Sequence, residues 1–194
     1  VHIAGTNGKG STATFLKQIL EKHNLSVNLY TSPHLINFNE RIRIKNKIIS
    51  DKKLIKLLEE VELKNENKPI TFFEITTAVA LVAFNKYQSD VNIIETGLGG
   101  RLDATNTINK NLISIITTIG MDHKEFLGNS LSAIAKEKVG IIKNKTKVIS
   151  SKQNQIVRDI ILRKAKEQNS KCLMYGEDWK VQGNTFLYND FKIN

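Results

Sequence analysis

Apolar positions along this chain recur with two periods, one typical of amphipathic helices and one typical of buried strands. Residues 11–23 have a helical pattern, and residues 27–30 then predict a strand. A hairpin is predicted from residues 41–44 and 47–49, followed by a helix that Ser50 caps and a polar stretch over 64–68 ends. The same alternation continues along the chain and predicts helices over 72–87, 130–142 and 153–168, and strands over 91–94, 112–119, 147–150 and 171–175.

The order of these elements predicts an α/β fold. The runs over 91–94 and 112–119 are apolar throughout, which is typical of parallel strands covered on both faces. Strands that alternate with helices form a mostly parallel sheet with helices on both faces. The segment 179–193 differs, because Gly183-Asn184 and Asn189-Asp190 divide it into short pieces. It predicts a short antiparallel β tail.

Composition narrows the class of protein. The longest apolar run, over residues 78–84, is far shorter than the roughly 20 residues that a membrane helix needs. Cys172 is the single cysteine, so an internal disulfide is excluded and a cytoplasmic location is expected. These features predict a soluble domain without a membrane partner, and we expect it to be monomeric.

The net charge of +10 raises the question of nucleic-acid binding. The lysines are scattered over polar helix faces and are not interleaved with aromatic residues, so nucleic acid is not a predicted partner. An anionic small substrate such as ATP suits the same positive field.

A glycine-rich segment stands between the first predicted strand and the first helix. Glycines let backbone amides turn toward phosphate oxygens, the helix start adds its dipole, and Lys9 neutralises charge on the β- and γ-phosphates. We call residues 5–11 the phosphate loop, and its predicted ATP-binding residues are Thr6, Asn7, Gly8, Lys9, Gly10 and Ser11. The fold is thus expected to be similar to that of P-loop NTPases, although Gly10 separates the lysine from the hydroxyl residue.

Polar residues follow several of the predicted strands. In a parallel sheet, the carboxyl ends of the strands collect ligands. Glu95 ends one strand and can hold Mg²⁺, and His123 follows another and can add a ligand or orient a phosphate. Ser32 follows the strand over 27–30, where its hydroxyl can reach the same metal or serve only as a turn former.

Lys138 is unexpected in its position. It falls on the apolar stripe of its helix with Leu131, Ile134 and Ala135. Either the side chain extends outward or pairs with an acid, or it is buried and takes up CO₂ as a carbamate. A further segment, Thr71-Phe72-Phe73-Glu74, sets two aromatics beside an acid, which suits either a hydrophobic core or a platform for flat rings.

Several motifs in order resemble the dihydrofolate synthase/folylpolyglutamate synthase family, a branch of the Mur ligase superfamily. The resemblance spans almost the whole chain, and it is carried by residues 2–11, 29–35, 39–42, 71–74, 94–106 and 122–142. The glycine after Lys9 is similar to this branch and differs from the peptidoglycan ligases, whose loop passes from lysine directly to Thr or Ser.

The resemblance implies a role for each matching residue. ATP binds at the phosphate loop, with Lys9, His123 and Lys138 as catalytic residues and Lys138 carrying the carbamate. Ser32, Glu95 and His123 hold Mg²⁺. The implied substrate-binding residues are Thr71, Phe72, Phe73, Glu74, Leu102, Asp103 and Ala104.

The reaction implied by the resemblance is ATP-dependent addition of L-glutamate to dihydropteroate or folate through an acyl phosphate. Residues 1–194 are expected to be the central ATP-binding domain, without the start of its first strand and without the glutamate-binding C-terminal domain. The fragment alone is therefore expected to be inactive. Alternative functions are a Mur-type ligase for a cell-wall precursor, a P-loop regulator or nucleic-acid ATPase, and a non-catalytic nucleotide-binding module.

Overall fold

The structure, a computed structural model, describes residues 1–193. Its strands are β1 His2–Ala4, β2 Val27–Tyr30, β3 Ile42–Ile44, β4 Lys47–Ile48, β5 Val91–Glu95, β6 Ile113–Ile116, β7 Lys147–Ser150, β8 Lys171–Met174, β9 Trp179–Gln182, β10 Thr185–Tyr188 and β11 Phe191–Ile193. Its α-helices are α1 Lys9–Lys22, α2 Asp51–Asn65, α3 Phe72–Lys86, α4 Lys124–Leu127, α5 Leu131–Lys138 and α6 Gln155–Glu167. Short 3-10 helices occupy Phe38–Arg41, Ala104–Thr107 and Val139–Ile141.

The strand order along the larger sheet is β4-β3-β2-β5-β1-β6-β7-β8, and the smaller sheet has the order β11-β10-β9. In the larger sheet β3 and β4 form an antiparallel hairpin, and β3 also pairs antiparallel with β2. The pairs β2–β5, β1–β6, β6–β7 and β7–β8 are parallel. The smaller sheet is antiparallel throughout. The predicted α/β class, the mostly parallel sheet and the antiparallel tail are therefore confirmed.

The chain divides into two compact units, and each is described by itself. The first unit comprises residues 1, 10–98 and 103–107, and the second comprises residues 2–9, 99–102 and the described chain from residue 108 onward. In the first unit, Leu54, Leu57 and Val61 recur on one face of α2 and are buried. The helix α3 packs against α2 and buries Val79, Ala80, Ala83 and Phe84.

The core of the second unit lies between its parallel strands and the helices α5 and α6. Burying each large aliphatic side chain there contributes roughly 1.5–3 kcal/mol. The buried residues are Ala4, Ile116, Ile119, Leu127, Ile134, Ala135, Val139, Ile141, Ile142, Val148, Val157, Ile161, Ala165 and Met174. This core fixes the end of β1, where the phosphate loop begins.

Two predicted boundaries were wrong by three residues or more, and both errors have a tertiary cause. The strand predicted to reach residue 119 ends at Ile116, because the Thr118 carbonyl beyond it accepts hydrogen bonds from the phosphate loop. The helix predicted to reach residue 142 ends at Lys138 and tightens into the 3-10 turn Val139–Ile141. The short helix α4 was not predicted. Among the described residues, no helix is long and apolar enough to cross a membrane.

Candidate functional site

The phosphate loop connects β1 directly to α1. Gly8 has a φ of +83°, a conformation that favours glycine, and a Cβ placed there would have no heavy atom within 4 Å. The helix α1 begins at Lys9, so the amides of its first turn have no acceptor within the helix. These amides carry the positive end of the helix dipole, which suits an anion.

The start of the phosphate loop is tied to the segment that follows β6. The backbone amides of Thr6 and Asn7 donate to the Thr118 carbonyl oxygen at 2.9 and 3.2 Å. The Thr6 hydroxyl donates to the Gly120 carbonyl and accepts from the Gly120 amide, both at 3.1 Å. Two of the predicted ATP-binding residues therefore use these groups to fix the path of the loop.

Glu95 stands at the carboxyl end of β5 and is only 3% exposed. Its Oε2 atom accepts a hydrogen bond from the Ser32 amide at 3.2 Å. The same oxygen lies 3.5 Å from the position that a Cβ on Gly10 would occupy. Three of the predicted site residues thus come together in the first unit, with a buried carboxylate facing the first turn of α1.

Asp122 and His123 lie in the second unit. His123 caps the short helix α4 in a left-handed conformation, with a φ of +47°, and its side chain is 48% exposed. Its amide donates to Asp122 Oδ1 at 2.9 Å, and its Nε2 lies 3.5 Å from Asp122 Oδ2. Among residues 1–193, no three His, Cys, Asp or Glu side chains form a group that could hold a metal ion. A Mg²⁺ ion held largely by phosphates and water needs no such group, because one or two carboxylates suffice.

Lys138 is the last residue of α5 and is 3% exposed. Its Nζ atom donates a hydrogen bond to the Gly5 carbonyl at 3.0 Å, and Gly5 begins the phosphate loop. The side chain is buried, as its place on the apolar stripe predicts, and does not extend into solvent. A buried lysine that reaches the phosphate loop needs a role there, because burying an ammonium group costs free energy.

Thr71 and Glu74 form a capping box at the start of α3. The Glu74 amide donates to Thr71 Oγ1 at 3.2 Å, and the Thr71 amide donates to Glu74 Oε2 at 2.8 Å. Hydrogen bonds from the side chain and then the backbone of Thr71 hold the pKa of the Glu74 carboxyl below its usual value. These two predicted substrate residues therefore define where the helix begins.

The two phenylalanines between them face different surroundings. Phe73 lies over Gly97, where a Cβ would come within 2.3 Å of the ring. Phe72 is 63% exposed, and its ring centroid lies 5.7 Å from that of Phe38. The exposed ring suits a ligand platform, while Phe73 has a packing role.

Around Phe72 lies a cluster to which the sequence analysis gave no role. The Arg41 guanidinium lies 5.6 Å from the ring centroids of both Phe38 and Phe72. Arg41 Nε also donates to His34 Nδ1 at 2.9 Å. The spacing of Phe38 and Arg41 over one helical turn, shortly after His34, is the sequence signal that could have pointed to this cluster.

The segment of residues 102–104 forms a sharp turn. Leu102 is 78% exposed, and Ala104 begins the 3-10 helix Ala104–Thr107. Asp103 is nearly buried, with Oδ2 accepting from the Leu98 amide at 2.7 Å and Oδ1 from the Thr105 amide at 3.0 Å. Its carboxylate shapes the turn, which leaves Leu102 as the most exposed of the three predicted residues.

A glycine-rich loop with a lysine between a parallel strand and a helix defines the class of α/β domains that bind nucleotide phosphates. Comparison with known families makes the assignment narrower. The sequence profile of the Mur ligase middle domain matches residues 3–192, so the chain belongs to that family.

Several relatives of this chain are named dihydrofolate synthase/folylpolyglutamate synthase. A dihydrofolate synthase/folylpolyglutamate synthase from Buchnera aphidicola is 48% identical over 148 residues, covering 76% of this chain and 36% of that protein. The protein of that name from Haemophilus influenzae is 39% identical over 184 residues, covering 95% of this chain and 41% of the relative. The structure of Escherichia coli FolC in complex with DHPP and ADP has a TM-score of 0.92 at 32% identity, covering 99% of this chain and 47% of that one. The chain thus spans about half or less of the length of these relatives.

Proposed function

We propose that the full-length protein is an ATP-dependent ligase that adds L-glutamate to dihydropteroate, to folates, or to both. The names of the relatives support this, as do structures similar to the chain: a folylpolyglutamate synthase with AMPPCP and folate, and Escherichia coli FolC with DHPP and ADP. The most similar alternative is a Mur-type ligase for a cell-wall precursor, since the matching domain family is named for that group.

The observation that carries the proposal is the position of the Glu95 carboxylate. It is buried, it accepts from the Ser32 amide, and it faces Gly10 on the first turn of α1. A buried carboxylate beside a helix start suits a cation placed between it and a bound phosphate, because the cation would attract both. A magnesium nucleotide would supply that cation.

Within the phosphate loop, the contacts of the residues support two different roles. The backbone amides of Thr6 and Asn7 donate to the Thr118 carbonyl, so these two residues stabilise the conformation of the loop. The amides of the first turn of α1 and the Lys9 side chain then bind the β- and γ-phosphates, with the dipole of α1 adding to the attraction. We expect Ser11 to contribute from the same turn.

The residues proposed for magnesium are Ser32, Glu95 and His123. Bound there, magnesium would neutralise the charge that accumulates on the transferring phosphoryl group. The oxygen donors fit a hard cation. Residues 1–193 form no cage of acidic side chains, which is compatible with an ion that keeps water and phosphate ligands. His123 is exposed and can serve either as a ligand or as a donor to phosphate.

The proposed reaction has two steps. A carboxylate oxygen of the pteroate or folate attacks the γ-phosphorus of ATP, the bond to the β-phosphate oxygen breaks, and acyl phosphate and ADP form. The amine of glutamate then attacks the acyl carbon, phosphate leaves, and the amine loses a proton to give the amide. The protein contributes position and charge, with Lys9 at the phosphates and Phe72 as a face for the flat ring.

We also propose that Lys138 carries a carbamate. The nitrogen of a carbamate keeps one N–H, so the hydrogen bond to the Gly5 carbonyl can persist after modification. The modification would replace a buried positive charge by a negative one near the start of the phosphate loop, where it orients the metal or the phosphoryl group. Loss of glutamate-dependent turnover in Lys138→Ala, with partial recovery by added short-chain carboxylic acids, would support this role.

The substrate residues are proposed in two groups. Phe72 offers an exposed ring, and Leu102 offers an exposed apolar side chain. Thr71, Glu74 and Asp103 shape the backbone around these contacts through their hydrogen bonds. We expect the enzyme to work in the cytoplasm as a monomer, with small molecules as its only substrates and without nucleic-acid or membrane partners.

The test is ADP release by the full-length protein with ATP, magnesium and glutamate, offering dihydropteroate in one reaction and tetrahydrofolate in another. Release with both substrates indicates a bifunctional enzyme, and release with one identifies its activity. No ADP release with either substrate, together with turnover of a cell-wall nucleotide precursor, would overturn the proposal. For residues 1–194 alone we expect at best weak binding of the magnesium nucleotide, and no ligation.

A matched pair of variants tests the role of Glu95. We expect Glu95→Gln, which keeps the shape and removes the charge, to lower kcat by roughly 100-fold or more. The control is Glu59→Gln on α2, an exposed residue to which no role is given. Equal activity of the two variants would contradict the proposed magnesium site.

A further inference from the structure

Two glycines bring a turn of the chain directly against the end of α5. A Cβ on Gly100 would lie 2.7 Å from the Lys138 carbonyl oxygen and 3.1 Å from its Cα. In return, a Cβ on Gly140 would lie 2.5 Å from the Arg101 Cα. Two stretches of backbone thus touch with no side chain between them, so neither can shift without moving the other.

An ion pair between Arg101 and Glu137 stabilises the same backbone contact. The Arg101 amide donates to the Glu137 carbonyl at 2.8 Å, and its guanidinium donates to Glu137 Oε1 through Nε at 3.0 Å and Nη2 at 2.9 Å. Glu137 immediately precedes Lys138 in the last turn of α5. The turn is therefore bound to the residue next to the buried lysine.

The other end of Lys138 reaches the phosphate loop through its bond to the Gly5 carbonyl. Arg101, the other member of the ion pair, is followed in the sequence by the exposed Leu102. A continuous path of contacts thus runs within the second unit from Leu102 through the ion pair and Lys138 to Gly5. Every step along it is a covalent bond or a hydrogen bond.

We propose that Arg101 and Glu137 are positioning residues. They set the position of Lys138 relative to the phosphate loop and connect Lys138 to Leu102, a proposed substrate-binding residue. The catalytic consequence rests on the proposed function. Both residues act through Lys138, because their contacts fix the last turn of α5. A displacement of about 1 Å at the end of α5 would break the 3.0 Å bond to Gly5, and errors of that size can cost up to about 100-fold in rate.

The activity test uses the full-length protein with Arg101→Gln, Glu137→Gln and the double variant R101E/E137R. The single variants should lower kcat about five- to thirtyfold, leave the KM for ATP within about twofold, and raise the bicarbonate concentration that half-restores activity after CO₂ removal. The reversed pair should recover at least half of the lost rate, because it restores the attraction.

The chain offers a matched control in the Arg158–Glu177 pair, which is also an ion pair on the surface of the second unit. Arg158→Gln should keep kcat and bicarbonate dependence unchanged, with a melting temperature similar to those of the Arg101 and Glu137 variants. If Arg158→Gln loses as much activity as Arg101→Gln, or if Arg101→Gln keeps full activity, the positioning role is refuted.

A second measurement separates this inference from the proposed function. Acetylation of Lys138 by an N-hydroxysuccinimide ester, followed by peptide mass spectrometry, requires no ligase activity. It should proceed at least fivefold faster in Arg101→Gln and Glu137→Gln than in the unchanged protein or in Arg158→Gln. Faster acetylation in a protein without ligase activity would sink the proposed function and keep the positioning role, while unchanged acetylation would refute the positioning role itself.

Discussion

Replacing Gly5 by alanine should be among the most damaging single changes in the phosphate loop. Gly5 has a φ of +155°, and a Cβ built there would lie 1.8 Å from Thr117 Oγ1 and 3.1 Å from the Thr117 carbonyl carbon. The unfavourable backbone conformation costs about 1–3 kcal/mol. The steric overlap costs about another 1–3 kcal/mol, because backbone atoms limit how far the neighbours can move.

The expected loss for Gly5→Ala is therefore about 2–6 kcal/mol in the free energy of unfolding. For a chain of 194 residues this lowers the melting temperature by roughly 4–24 °C. Thermal denaturation followed by circular dichroism measures the change. Gly120→Ala is the control, because a Cβ there would meet no heavy atom within 4 Å, so its stability should stay within about 1 kcal/mol.

A double variant tests the steric half of this reasoning. Thr117→Ala removes the hydroxyl that the new methyl group would strike, at the expense of a 3.3 Å hydrogen bond to the Ala4 carbonyl. G5A/T117A should be at least about 1 kcal/mol more stable than the sum of the single changes predicts. A melting temperature of Gly5→Ala within about 2 °C of the unchanged protein, or strict additivity in the double variant, would refute the argument.

Three further changes test other contacts. Hydrogen bonds from the Asn37 and Leu35 amides hold the pKa of the Glu40 carboxyl below its usual value. The stability that these hydrogen bonds contribute is therefore complete above the ordinary glutamate pKa, and it is lost as the pH falls through the lowered pKa of Glu40. The protection factor of the Leu35 amide against hydrogen exchange, measured by NMR, should fall at acid pH and, at neutral pH, in Glu40→Ala. Thr6→Val should weaken binding of a non-hydrolysable ATP analogue about five- to tenfold by calorimetry, and Thr6→Ser should stay within about twofold. Burial raises the pKa of the Cys172 thiol to about 11, so iodoacetamide should alkylate it at pH 8 at least about tenfold more slowly than a free cysteine; an equal rate would contradict this.

The elements that the sequence predicted well are those with a strong local pattern. Residues 27–30 and 147–150 were predicted as strands with the observed bounds, because each is a short, partly apolar segment between turns, too short for a helix. The tail was predicted because Gly183-Asn184 and Asn189-Asp190 are strong turn signals, and they separate β9, β10 and β11. Local signals sufficed wherever no distant contact competed.

The wrong boundaries mark places where distant contacts decide. Thr118 is β-branched and would suit a continuation of β6, but its carbonyl instead accepts from the amides of Thr6 and Asn7, more than 100 residues earlier in the chain. Gly140 continues the helical pattern of α5, yet its backbone must make room for Arg101. A one-dimensional pattern cannot contain either contact.

Some residues of the candidate site could be predicted from the sequence, and others depend on contacts between distant parts of the chain. Gly10, Ser32 and Glu95 could be placed together from the sequence, because strand ends and helix starts gather at one edge of a parallel sheet. The capping role of Glu74 and the hydrogen bonds of Asp103 depend on side-chain geometry, so the sequence showed these residues only as candidates for substrate binding. The cluster around Arg41 depends on the fold bringing Phe72 beside it.

The glycines explain why the site depends on backbone contacts. Gly97, Gly100 and Gly140 are needed for close approach, because a Cβ at each would strike a ring or a backbone atom at 2.3–2.7 Å. In the first unit the approach seats Phe73, and in the second it brings Arg101 against Gly140, two residues after Lys138. Side chains that would otherwise fill these contacts are absent, so the backbone itself sets the distances. Substitutions at these glycines should therefore disturb the position of Lys138 or Phe73 more than the helix or strand in which they occur.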